Sequence, residues 1–276
     1  MTFIISHGDF KLELSVLPVK ELKPHEETLK QGVDELKSSL INMRLQHDPV
    51  IIDSKTKVIL DGMHRHKAMQ ELHFKLILVC AVNYLDERIG IKRWLRSSRM
   101  SEDQLGKIAR TLSLEEEGRY GQVMQMVDQQ QSCLGILSEK VSYYSKPCGG
   151  KDKLKEMVRT FDQFSNLIGV RVEYISEDNI MQKVREGFSV LYTQLPSKED
   201  VIESALSGRL FPPKSTRHTI PARPVAIGFP LEYLSLERTN SENRLSELLR
   251  GKRFMEMPPG SFYEGRKYEE TIYLLE

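Results

Sequence analysis

A chain of 276 residues, 39% hydrophobic and 29% charged, holds enough apolar material for one large domain or two modest ones. Its formal net charge of +1 excludes the broad basic field that drives non-specific nucleic-acid binding. No apolar run approaches the ~20 residues of a membrane-spanning helix, so no membrane partner is expected.

In chain order, Phe10, Leu12, Leu14 and Val16 alternate as in a strand over residues 10–17. Val33, Leu36 and Leu40 then mark an amphipathic helix over 31–41. Two β-rich runs, 49–53 and 57–60, are separated by the polar Ser54-Lys55-Thr56 and predict a hairpin. Residues 64–72 read as a helix and 76–82 as a buried strand, which closes an α+β unit over about 10–90. A charged helical region is expected at 100–131. The clearest helix is 154–168, where Leu154, Met157, Val158, Phe161, Phe164, Leu167 and Ile168 recur at helical spacing. Strands at 170–175 and 188–192 flank a helix-like 178–186. Ser197 and Asp200 form a capping box ahead of a helix ending at Gly208. This alternation predicts a second α/β unit. Beyond residue 230 the chain is charged and less regular.

The three cysteines show no CxxC pair and no zinc-ligand spacing. Cys80, within an apolar run, reads as a buried inert thiol. An odd count with no signal peptide predicts a reducing cytoplasm.

Four constellations can carry chemistry. Asp61-Gly62-Met63-His64-Arg65 falls between a predicted strand and a predicted helix. A glycine turn there presents backbone N–H groups to a phosphate, His64 and Arg65 add donors, and Asp61 can hold magnesium or orient a hydroxyl. The same pattern also fits a tight turn with solvated basic residues. Pro24-His25-Glu26-Glu27 precedes a helix. Its carboxylates suit either a general base or the positive end of the helix dipole. Phe211-Pro212-Pro213-Lys214-Ser215-Thr216-Arg217-His218 releases a dense donor set from a proline-stiffened segment, suited to a carboxylate or phosphate, or to solvent. Trp94, the only tryptophan, suits a ligand pocket or a domain junction.

Together and in this order, the four resemble the free serine kinases of the ParB/sulfiredoxin-like superfamily, a group with archaeal cysteine-biosynthesis and bacterial siderophore-associated branches. The resemblance spans about residues 10–225, and the FPPKSTRH segment is its most specific part. It implies a mixed α+β / α/β fold: a ParB/sulfiredoxin-like nucleotide-binding domain over 1–95 and a second α/β domain over 96–230, with the active site in the cleft between them. Residues 231–276 form an extension without a family role.

The resemblance makes Glu26, rather than Glu27, the base for the serine hydroxyl. It puts Asp61 beside the transferred phosphate and its magnesium ion. Gly62, Met63, His64 and Arg65 become the phosphate cradle, and Ser39 a nucleotide contact. Trp94, Lys214, Thr216 and His218 become the amino-acid pocket. The implied ligands are free L-serine, Mg2+, and ATP or ADP as donor. Nucleic acid is not an expected partner. The competing readings are a ParB-like DNA-binding or regulatory protein and a nuclease. The first needs a helix-turn-helix and a basic face, but the region after the loop carries Glu115-Glu116-Glu117. The second leaves FPPKSTRH unexplained. A sulfiredoxin activity lacks its cysteine beside His64 and Arg65.

Overall fold

In the first five-stranded sheet the strands lie in the order Phe3–His7, Phe10–Pro18, Leu76–Val82, Val50–Asp53, Ile59–Asp61. This arrangement comes from a computed structural model that describes residues 2–276. The chain forms two compact units, one of residues up to Gly90 with 202–210 and 218–276, the other of 91–201 with 211–217.

Within the first unit, Leu76–Val82 is buried at every position because it lies in the middle of the sheet. It runs parallel to Val50–Asp53 and antiparallel to Phe10–Pro18. A parallel pair needs a crossover. The crossover here is the strand Ile59–Asp61 followed by the helix Met63–Glu71, against which the helix Lys30–Met43 packs. The hairpin turn is tied by Asp53, whose Oδ2 accepts from Thr56 N (2.8 Å) and Thr56 Oγ1 (2.6 Å). Strand, helix, hairpin, helix and strand over residues 10–82 thus match the hydrophobic pattern.

Residues after 230 are also built into this unit. The helix Arg238–Leu249 packs against Phe10–Pro18. A second sheet sets Ala222–Val225 parallel to Thr271–Leu275, which pairs antiparallel with Phe254–Met257.

The second unit is a six-stranded antiparallel sheet, in the order Glu173–Ser176, Trp94–Ser98, Ser189–Thr193, Leu134–Leu137, Ser142–Tyr144, Glu115–Glu117. Side-chain alternation divides its faces. Leu191 joins Leu105, Ile108, Leu154, Val158 and Phe161 in one core, while Val190 and Tyr192 join Val123, Val127, Ile180 and Val184 in the other. The helices Glu102–Thr111 and Lys151–Leu167 cover the first face.

The region expected to be helical over 100–131 is interrupted. Ser113 takes a left-handed backbone (φ 55°) that ends the helix Glu102–Thr111. Glu115–Glu117 then forms an edge strand, where charge discourages further pairing. Cys80 is buried, as its apolar run implies, and burial pushes its thiol pKa far up. Cys133 and Cys148, which no motif links, form a disulfide with Cα atoms 5.0 Å apart, so the cysteines do not support the reducing compartment expected from their odd count. Among the described residues no helix is long and apolar enough to cross a membrane.

Candidate active site

The strand Ile59–Asp61 delivers Asp61 to the start of the helix Met63–Glu71 through Gly62. Gly62 has φ +98°, and a Cβ there would lie 3.0 Å from Arg65 Nη1 and 3.1 Å from Val50 Cγ2. Conformation and space therefore both call for glycine. The first-turn amides of the helix have no acceptor within it, so this end favours negative charge.

The side chains of the loop are held in defined positions. Arg65 Nη1 donates to Pro49 O (2.9 Å), and its Nη2 lies 3.8 Å from Asp48 Oδ2. His64 Nε2 accepts the Leu29 N–H (3.1 Å). A ring nitrogen that accepts carries no hydrogen, so the neutral His64 ring holds its proton on Nδ1. Asp61 Oδ2 accepts from Arg223 Nη1 at 2.8 Å, and Arg223 Nε also pairs with Glu270. Burial works to raise the Asp61 pKa, but the guanidiniums of Arg223, Arg65 and Arg266 outweigh it and hold the carboxyl at about 2. Asp61 is therefore anionic at any physiological pH.

Gly32 sets the position of His64. It lies in the first turn of Lys30–Met43, and a Cβ there would fall 2.9 Å from His64 Cδ2 and 3.2 Å from Nε2. Gly32→Ala is expected to push the imidazole off the Leu29 N–H, although alanine is the better helix former. Hydrogen exchange at the Leu29 amide, expected to be about tenfold faster in the variant, checks this. Unchanged exchange means that the His64 position does not depend on this contact. Ser39 is exposed, two turns along the same face of that helix, and its hydroxyl donates to Met43 Sδ (3.5 Å).

The HEE segment is fastened beside the same strand. Ile59 N donates to Lys23 O (3.0 Å), and His25 Nδ1 donates to Ile59 O (2.8 Å). Ser204 Oγ donates to His25 O (3.1 Å). Glu26 is buried next to this anchor. The His25 ring stands edge-on to His218, centroids 5.3 Å apart, and Tyr84 Oη lies 2.8 Å from His218 Nε2. Burial, reinforced by the nearby His218, holds the His25 pKa well below its ordinary value, so His25 is neutral. Within the first unit, His25 thus links the segment that carries Glu26 both to the strand leading into the Asp61–Arg65 loop and to His218.

The other sequence-predicted residues belong to the second unit. Lys214 Nζ and Arg217 Cζ lie 5.5 and 5.4 Å from the centroid of the Trp94 ring. Arg96, fully buried, forks onto Asp162 (2.6 and 2.8 Å) and donates to Pro213 O (2.9 Å). This clamps the turn in which Lys214 adopts a left-handed backbone (φ 55°). Thr216 is buried.

Tyr84, Gly32, Arg96, Asp162, Arg223 and Glu270 escape the motif reading. Of these, Arg96 had a visible signal, a charged residue within the strand-like Trp94–Ser98.

No family model matches the chain. The ATP-dependent L-serine kinase of Staphylothermus marinus is 25% identical over 244 residues, covering 81% of this chain and 96% of the relative. The ADP-dependent L-serine kinase of Thermococcus kodakarensis is 22% identical, covering 81% and 94%. A solved free serine kinase in complex with AMP superposes with a TM-score of 0.68 at 21% identity, over 83% of this chain and 98% of that one. In sequence and in fold, the chain is similar to free serine kinases.

Proposed function

We propose that the protein transfers a phosphoryl group from a nucleotide to the hydroxyl of free L-serine, giving O-phospho-L-serine. The observation that carries this reading is the anchoring of the HEE segment on the strand that ends at Asp61. It fastens the segment that carries the buried Glu26 to the strand leading into a loop suited to phosphate.

Phosphoryl transfer depends mainly on in-line positioning and charge neutralisation. Glu26 orients the serine hydroxyl and takes its proton as the oxygen bonds to phosphorus. The bond to the leaving nucleotide oxygen breaks, and that oxygen departs with its electron pair. His64 Nδ1–H, Arg65 and the amides of Gly62–Arg65 bind the phosphates, and Ser39 contacts the nucleotide. Trp94, Lys214, Thr216 and His218 hold the amino acid, with the cations on its carboxylate.

The residues fit magnesium. Asp61 supplies an ionised, half-exposed carboxylate. That suits an ion held by one carboxylate, phosphate oxygens and water. When bound, it neutralises phosphate charge. The two kinases named above use different donors, ATP and ADP, and both donors suit this loop. The reaction belongs in the cytoplasm, where nucleotide and free serine are available.

A carboxylate clamp distinguishes free serine from a serine within a protein. Serine amide is therefore expected to show a KM about 10- to 100-fold above that of serine, the cost of one charge-assisted hydrogen bond. Equal KM values would sink the clamp.

A further inference from the structure

The C-terminal segment brings charge to the phosphate loop. Parallel pairing of Ala222–Val225 with Thr271–Leu275 sets Arg223 beside Ile272 and brings Glu270, at the start of the partner strand, within reach of its guanidinium. The Arg223 side chain is 9% exposed and that of Glu270 15%, while that of Asp61 is 44% exposed. One buried guanidinium thus lies between a carboxylate behind it and a more open one in front. A buried charge stripped of its partner is strongly destabilising. With Glu270 in place, Arg223 can release Asp61 without being stranded.

Arg223 also stands where it opposes a second cation. A divalent ion arriving alone at Asp61 must displace, or lie a few ångströms from, a guanidinium bonded to the same carboxylate at 2.8 Å. The repulsion is strong at such range outside bulk water. Phosphate oxygens reverse the balance, because a guanidinium pairs readily with them and leaves Asp61 to the ion. We propose that Arg223 is a positioning residue that makes divalent-cation binding at Asp61 conditional on the nucleotide's phosphates. The inference rests on the kinase reading. It gives residues after 218 a part in the site: Arg223 gates Asp61, and Glu270 keeps Arg223 paired while it does so.

The test is a binding cycle on the full chain. Mn2+ affinity is measured by electron paramagnetic resonance with and without saturating ADP. In the wild type, Mn2+ alone is expected to bind weakly and ADP to tighten it. Arg223→Gln should bind Mn2+ alone about tenfold more tightly, and the tightening by ADP should shrink by a similar factor, since coupling between two ligands is reciprocal. Arg223→Lys retains the charge and should stay within about threefold of wild type. A purely structural Arg223 predicts a lower Tm with Mn2+ affinity and coupling unchanged, and that result overturns the proposal. Should Arg223→Gln fail to fold, Glu270→Gln provides the opposite sign. It commits Arg223 to Asp61 and should weaken Mn2+ binding about threefold, whereas unchanged or tighter binding overturns the proposal. If the wild type turns over serine but the variants show none of these shifts, Arg223 alone is misassigned. If the wild type binds neither ADP nor ATP, the kinase reading fails and this inference fails with it.

Discussion

Glu26→Ala is expected to lower turnover by about 10²–10⁴-fold, the usual contribution of a general base, while nucleotide affinity stays within about twofold. In the proposed reaction Glu26 acts on the acceptor hydroxyl, so its loss should affect kcat and leave the phosphate loop intact. The fold should also survive. The segment is held by backbone hydrogen bonds at Lys23 and Ile59 and by the His25 ring, none of which uses the Glu26 carboxylate. Stopped turnover beside an unchanged titration with ADP or ATP is the expected pair of measurements. A variant with wild-type kcat would make Glu26 merely a charge at a helix end, and the base would have to be sought elsewhere.

Lys214→Ala should raise the serine KM by about 30- to 100-fold, as expected for losing a charge-assisted hydrogen bond to a carboxylate, with nucleotide affinity nearly unchanged. The turn bearing Lys214 is set by Arg96, which grips Pro213 O from a buried position and is itself held by Asp162. Truncating Lys214 at Cβ leaves that clamp in place. Serine amide should lose less between wild type and variant than serine does, because it lacks the carboxylate that Lys214 is proposed to bind. A DNA-binding role predicts a different pattern: duplex affinity that falls steeply with salt and disappears on the same substitution.

Much of this was legible in the sequence for a physical reason. The hairpin, the glycine turn and the helices on either side depend on neighbours in the chain, so alternation, turn residues and helical spacing reveal them directly. The charged environment of Asp61 was not legible. Arg223 lies 162 residues away, in a four-residue strand with no pattern of its own, and it reaches Asp61 through the pairing of Ala222–Val225 with Thr271–Leu275. The Tyr84 contact with His218 and the packing of His64 against Gly32 are likewise products of tertiary structure. So is the Cys133–Cys148 pair, whose spacing of 15 residues matches no motif. The edge strand Glu115–Glu117 was obscured because three consecutive glutamates favour helix over strand by propensity, and only the left-handed Ser113 breaks the run.

The most direct test of the account is to incubate the protein with L-serine, Mg2+ and either ATP or ADP and to follow O-phospho-L-serine by phosphorus NMR. Phosphoserine should form in one-to-one proportion with released ADP or AMP from at least one donor, and should be lost in Glu26→Ala. The absence of phosphoserine with both donors, from a folded protein that instead binds or cleaves duplex DNA, would contradict it.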